Sequence, residues 1–308
     1  MSNDKIYDVA VIGGGPAGLS AALYSARALL STLVLELGLP GGQAFNTDAI
    51  ANYPGFPGEV TGPELMEKME KQTRSFGAEF VTAEINALAP DNNIWLCRAG
   101  DNVYRSKTVI VAAGANPRRL GAPGESEFAG AGVSYCATCD GAFYRDKEVI
   151  VVGGGDAALQ EAIFLTRFAS RVTVVHRRDE LRATKVIQQK AFRNEKISFR
   201  WSSVVERIQG GNKVETVVLK NVKDGTLTTQ QADGVFIYVG TRPNSEFLPA
   251  EIERNQKGYL ITDDAMRTTL PGVFAAGDIR QKLLRQIVTA VSDGATAAVA
   301  ANEYIDNL

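Results

Sequence analysis

Apolar positions in this chain fall into short β-branched runs and longer stretches with helical spacing. Residues 6–12 (IYDVAVI) form one such run; glycines follow at once, and apolar positions then recur with the helical period from Pro16 to Leu29. The pattern predicts strand, turn, helix. It returns over 147–168, where KEVIVV leads into Gly153-Gly154-Gly155 and then the helical DAALQEAIFLTRF. Between the two lie a Gly-, Pro- and Asn-rich segment ending at Gly62, predicted to be exposed, and a helix over 63–76 opened by Pro63-Glu64. The strand TVIVAAG (108–114) ends in a Gly-Ala-Asn-Pro cluster, and GVFIYVG ends in Gly240-Thr241-Arg242-Pro243-Asn244. Read as domain crossings, these turns predict one domain over 117–242 inserted into another built from 1–116 and 243–308. Near the end, LPGVFAAGDI (270–279) reads as a strand closing on Gly277-Asp278, with Arg285-Gln286 opening a long helix. The expected fold is α/β: two Rossmann-like dinucleotide-binding domains, the second inserted into the first.

The chain has 308 residues, more than one ordinary domain. Its 33 basic and 35 acidic residues give a formal charge of -2, with no excess positive field to hold a nucleic acid. Asp156 and Arg167 interrupt the longest helical apolar stretch, so no membrane span is expected. Met1-Ser2-Asn3-Asp4-Lys5 runs into the first strand without an apolar export segment, and a cytoplasmic location is expected. Three cysteines cannot build a disulfide framework, so their positions carry the information.

The first glycine set is Gly13-x-Gly15-x-x-Gly18, and Glu36 closes the following strand about 20 residues on. The first glycine permits a tight turn, the second lets backbone approach a pyrophosphate, and the third packs helix on strand; the acid suits a ribose 2′-hydroxyl. The second set, Gly153-x-Gly155-x-x-Ala158, ends its second strand in His176-Arg177-Arg178 instead of an acid. Arginines there can pair with a 2′-phosphate through charge-assisted bidentate bonds, so this site reads as one for NADP. The plain alternative is a solvated charge cluster, since acids alternate with the arginines through RRDELR.

Cys136-Ala137-Thr138-Cys139 is followed by Asp140. A zinc half-site, two inert buried cysteines and a redox dithiol are the possible readings. Tetrahedral zinc needs four ligands, and the remaining supply, Cys97 and the single histidine His176, is distant in sequence; no metal site is expected. The CxxC spacing lets two sulfurs close a small ring, which favours the redox reading. Asp140 could cap a helix beginning near Gly141, or hand a proton to the thiolate released when the disulfide opens. Cys97 reads as a buried small hydrophobe.

Taken together, GGGPAGLSAALYSAR, GGQAFNTDAIANYPGFPG, TGPELMEKM, VIVAAGANPR, CATCDGAFYR, VVGGGDAALQEA, VHRRDELRATK and GVFAAGDIRQKLLRQIVTAVSDGATAA resemble the low-molecular-weight, bacterial-type thioredoxin reductases. The resemblance covers essentially the whole chain. It implies FAD held by Gly13, Gly15, Gly18, Glu36, Gln43, Asn52, Asp278, Arg285 and Gln286, and NADPH held by Gly153, Gly155 and Ala158 with Arg177, Arg178 and Arg182 around the 2′-phosphate. It further implies Cys139 as the sulfur facing the flavin, Cys136 as the one attacking the substrate disulfide, Asp140 as the acid, thioredoxin or a thioredoxin-like protein as partner, and a homodimer. The sequence departs from relatives at Ala142, where some carry a second aromatic beside Phe143, and at Ala157, where a hydroxyl residue is common. A flavin-dependent dithiol oxidase of the same fold, using oxygen as acceptor, is the alternative. It has less need of an NADP site, so the arginines discriminate against it.

Overall fold

In a computed structural model, the protein is described over residues 5–45, 50, 52–135 and 137–308, excluding the side chains of Thr138 and Cys139. The chain divides into two compact units, 1–116 with 242–308, and 117–241.

The first unit begins with β1 (Ile6–Ile12), α1 (Pro16–Arg27) and β2 (Thr32–Glu36). α1 stops at Arg27, short of the expected Leu29, because Leu29 takes a left-handed φ of 63° and breaks the ladder. Then come a short α2 (Gly42–Phe45), α3 (Gly62–Ser75) and β3 (Glu79–Thr82). α3 starts one residue before the expected 63, because the Thr61 hydroxyl accepts the Glu64 N–H as the N-cap and Pro63 lies in the first turn. The segment before it is not wholly exposed: Ile50 and Val60 are buried and pair backbone to backbone. A hairpin, β4 (Ala87–Asp91) and β5 (Ile94–Ala99), leads to β6 (Asn102–Val111). β7 (Ala115–Pro117) carries the chain out of this unit.

The second unit opens with β8 (Val133–Ser134), α4 (Ala137–Asp140) and a 3-10 turn over Gly141–Tyr144. Its dinucleotide-type core is β9 (Glu148–Gly153), α5 (Asp156–Leu165), β10 (Arg171–Val175), α6 (Lys185–Phe192) and β11 (Ile197–Arg200). Three antiparallel strands follow, β12 (Ser203–Gly210), β13 (Val214–Asn221) and β14 (Leu227–Gln231), then β15 (Gly234–Tyr238). β16 (Thr241–Pro243) pairs with β7, so the two crossings form a two-stranded ribbon. The first unit closes with β17 (Val273–Ala275), a 3-10 turn (Gly277–Ile279) and α7 (Ile287–Asp306).

Each unit is built on a parallel sheet. The first has the order β3-β2-β1-β6-β5-β4, with β17 also pairing β6; the hairpin strands β4 and β5 are its antiparallel part. The second is wholly parallel, β11-β10-β9-β15-β8. In both, the first strand of the fingerprint lies where the strand order reverses, which opens a crevice at its carboxyl end. Burial on both faces explains the unbroken apolar runs. Val9 and Val11 pack toward α1 and α7, while Ala10 and Ile12 pack with Leu88 and Trp95. Val149 and Val151 meet α5, while Ile150 and Val152 meet Ile208, Val217 and Leu219 of the antiparallel sheet. Among the described residues, no helix is long and apolar enough to cross a membrane.

α1 and α7 approach so closely that a Cβ on Gly294 would strike the backbone carbonyl of Ala17. Gly294→Ala should therefore lose about 1–3 kcal/mol in urea denaturation, the usual cost of overpacking. Gly38→Ala is the control, because no atom lies within 4 Å of its added methyl. Equal stability of the two variants would show that the helices part without penalty.

Candidate functional site

The first unit gathers its candidate residues at the carboxyl end of β1. Gly13 has φ +106°, and a Cβ there would strike the carbonyl of Ala112; a Cβ on Gly18 would strike the carbonyl of Gly13. Both glycines are therefore required by packing. Gly15, the N-cap of α1, offers no side-chain cap, and the nearest atom to a Cβ there is the Gly42 Cα at 3.8 Å. The first N–H groups of α1 thus face an open approach, the geometry that binds a phosphate. Glu36, at the end of β2, accepts the N–H of Gly14 at 2.5 Å and that of Gly38 at 3.1 Å.

The remaining flavin candidates belong to the same unit. Gln43 donates to Asn116 at 3.2 Å, and Asn52 donates to the side chain of Gln286 at 2.9 Å. Gln286 is also the N-cap of α7, in a reciprocal capping box with Thr289. Asp278 lies on the turn whose Gly277 would, with a Cβ, come within 2.8 Å of Ala17 in α1. Among the described residues its Oδ1 is buried without a hydrogen-bond partner, and burial raises its pKa against the pull of Lys282 and Arg285. The Arg285 guanidinium stacks 4.1 Å from the ring centre of Tyr259, and among the described residues its Nε is likewise buried and unpartnered. An orphaned acceptor and an orphaned donor in one neighbourhood, beside an uncapped helix end, fit a ligand bearing hydroxyls and phosphates.

The second unit repeats the turn with different chemistry. Gly153 has φ +153°, with the carbonyl of Tyr238 where a Cβ would go, and nothing lies within 4 Å of a Cβ on Gly155. Ala158 is buried against the turn and tolerates its methyl, unlike Gly18. The His176 imidazole fills the space beside Gly154. Its pKa is lowered, first by burial and then by the charges of Arg182, Arg178 and Arg177, so it stays neutral. Those three side chains are exposed, and among the described residues none makes an ion pair. The nearby Asp179 does not neutralise them: it is engaged by Lys223 and the Ser202 hydroxyl. The donor set therefore fits an added phosphate.

The dithiol candidates are only partly described. Cys136 lies outside the described residues; Cys139 lies on α4, with its side chain outside them. The Ala137 N–H between the two cysteines donates to the Tyr238 hydroxyl at 2.6 Å. Asp140 occupies the N-cap position of the Gly141–Tyr144 turn but makes no capping bond with its side chain, so the capping role is not taken up. Its charge bears on Tyr144, which burial pushes up to about 12, and on Tyr238, which burial also raises. Glu161 on α5 acts on Tyr238 as well; among the described residues its Oε2 is buried and unpartnered, and burial raises its pKa to about 7. Sequence reasoning missed Tyr238 and Glu161, although a carboxylate among the apolar positions of α5 was a legible signal. Phe143 is 74% exposed, with Ala142 also exposed beside it. Cys97 is fully buried and its thiol is pushed up to about 12, so it is inert at neutral pH. Among the described residues there is no cluster able to hold a metal ion.

Residues 7–294 match the model of the pyridine nucleotide-disulphide oxidoreductase family. The chain is 50% identical to a thioredoxin reductase of Listeria innocua over 309 aligned positions, covering 100% of this chain and 96% of that protein. It is 49% identical to the thioredoxin reductase of Bacillus subtilis, over 100% of this chain and 98% of the other. The crystal structure of Lactococcus lactis thioredoxin reductase superposes with a TM-score of 0.89 at 48% identity, over 98% of this chain and 100% of that one. The chain belongs to the pyridine nucleotide-disulphide oxidoreductases and, among them, to the thioredoxin reductases.

The raised carboxyl of Glu161 makes stability depend on pH. The folded protein keeps a proton that the unfolded chain releases above about pH 4.3, so stability falls as pH rises from there to about 7. Glu161→Gln should remove that slope, leaving the variant more stable than the parent at pH 8 by on the order of 2 kcal/mol and equal to it near pH 4. Parallel denaturation curves at the two pH values would refute this.

Proposed function

We propose that this member of the family is an NADPH-dependent, FAD-containing thioredoxin-disulfide reductase. The observation that carries the reading is the pair of fingerprint turns with opposite second-strand ends. Glu36 sits at the first, and the unpaired Arg177, Arg178 and Arg182 stand around the second. Its names among relatives, thioredoxin reductases matched over nearly the full length of both chains, support the substrate. A homodimer and a cytoplasmic location complete the proposal.

In this reading the first unit holds FAD. The α1 N-terminus with Gly13, Gly15 and Gly18 receives the pyrophosphate, Glu36 a ribose hydroxyl, and Asp278, Arg285, Gln286, Gln43 and Asn52 the flavin half. The second unit holds NADPH, with Gly153, Gly155 and Ala158 at the pyrophosphate and the arginines at the 2′-phosphate. When bound, FAD supplies the relay between the two-electron hydride of NADPH and the Cys136–Cys139 disulfide, a transfer no side chain can perform. The polypeptide does the rest. Opening the Cys136–Cys139 bond leaves one thiolate and one thiol, and Asp140 provides the proton. Cys136, as thiolate, attacks the thioredoxin disulfide; one S–S bond forms as another breaks. Cys139 then attacks the mixed disulfide, restoring the internal bond and releasing reduced thioredoxin. The dithiol and the NADPH residues belong to one unit and the FAD residues to the other, and the paired crossings β7 and β16 link the two.

Purified protein should release FAD on denaturation and oxidise NADPH rapidly only with oxidised thioredoxin present, and Cys136→Ser and Cys139→Ser should each abolish this. Oxidation that thioredoxin does not accelerate would favour the oxygen-using dithiol oxidase. Arg177→Gln with Arg178→Gln should raise KM for NADPH by about tenfold or more while leaving KM for NADH nearly unchanged, since the lost bonds are charge-assisted and specific to the phosphate. Equal weakening of both nucleotides would place the arginines elsewhere.

A further inference from the structure

The stretch from Gly277 to Arg285 carries three cations, Arg280, Lys282 and Arg285, and a single carboxylate, Asp278. What balances two of them is Asp293, within α7. Its Oδ2 accepts from Lys282 Nζ at 2.7 Å and from the Gly277 N–H at 3.0 Å, and its Oδ1 accepts from Arg280 at 3.1 Å. The Lys282 side chain is 7% exposed and that of Asp293 is 9% exposed. An ammonium so buried must have an anionic partner. Asp278 is within its electrostatic reach, yet the bond is made to Asp293, and among the described residues the Oδ1 of Asp278 is buried without a partner. Lys282 therefore leaves the Oδ1 of Asp278 unengaged.

We infer that Asp293 is a positioning residue that sequesters Lys282 and Arg280, and by doing so keeps the Asp278 carboxylate available to hydroxyl groups of the flavin cofactor. The inference rests on the proposed role of Asp278 toward FAD. Its physical content is a choice between two carboxylates. With the Asp293 charge removed, Lys282 is left buried and uncompensated, and Asp278 becomes the anion that relieves it. The cofactor's acceptor is then occupied from within. A second consequence concerns the backbone, because the bond from the Gly277 N–H ties the turn carrying Asp278 to α7.

The test is FAD binding to the apoprotein, followed by quenching of FAD fluorescence, for the parent, Asp293→Asn, the double variant Lys282→Gln/Asp293→Asn, and Asp278→Asn. Asp293→Asn should weaken FAD binding by about tenfold or more, and removing the freed lysine in the double variant should restore it to within about threefold of the parent. A merely structural Asp293 would not be rescued by deleting a second charge. The inference is overturned if Asp293→Asn binds FAD as the parent does, or if the double variant is as weak as the single one. If Asp293→Asn fails to fold, the double variant decides: binding near the parent's supports the inference, and a tenfold loss overturns it. Failure of the underlying site assignment looks different, namely a parent protein that binds no FAD or an Asp278→Asn variant that binds it unchanged.

Discussion

The first turn of α1 is held where nothing larger than hydrogen fits. A Cβ on Gly18 would strike the carbonyl of Gly13, one on Gly294 the carbonyl of Ala17, and one on Gly277 the methyl of Ala17. Three separate segments, the β1 turn, α7 and the turn after β17, thus close on the same helix end. Because the obstacles are mostly backbone, they cannot yield by rotating a side chain. The consequence is directional: the unsatisfied N–H groups of α1 point out of the sheet's carboxyl end with their orientation set by packing. Asp278, on the turn after β17, and Gln286, at the N-terminus of α7, are carried on segments that make this closure.

The second unit uses the same turn and fills its second-strand slot differently. Beside Gly14 stands the carboxylate of Glu36, held by backbone N–H groups; beside Gly154 stands the neutral ring of His176. A carboxylate accepts a ribose hydroxyl and repels a phosphate, whereas three arginines around a neutral ring attract a phosphate. The histidine contributes by being uncharged and compact, which leaves the field of the arginines to an incoming anion. Engagement of Asp179 by Lys223 and Ser202 completes this arrangement. One backbone device thereby suits two nucleotides through the choice of a few side chains.

Much of this was legible in the sequence. The strands β1 and β9, their glycine turns and the helices after them follow from period and punctuation, and the two crossings were marked by Gly, Pro and Asn. What escaped reading depends on residues far apart in the chain. Asp179 looked like a neighbour of the arginines, but its partner Lys223 comes from beyond β13. For Asp140 a helix cap was one of two readings, and its side chain makes no such bond. The loop before α3 looked exposed, yet Ile50 and Val60 anchor it. Asp293 sits inside a helix whose small apolar residues gave no hint that its carboxylate gathers a buried lysine and a partly buried arginine. Local propensity reports backbone; charge compensation is settled only when the chain is folded.

The most direct test of the account is an anaerobic reductive titration of the purified flavoprotein, with the flavin absorbance followed throughout. If one chain carries both a flavin and a communicating disulfide, the protein should take up about four electrons per flavin, two for each centre, and Cys139→Ser should take up about two. An uptake of two electrons in both proteins would contradict the account, because the cysteines would then lie outside the electron path.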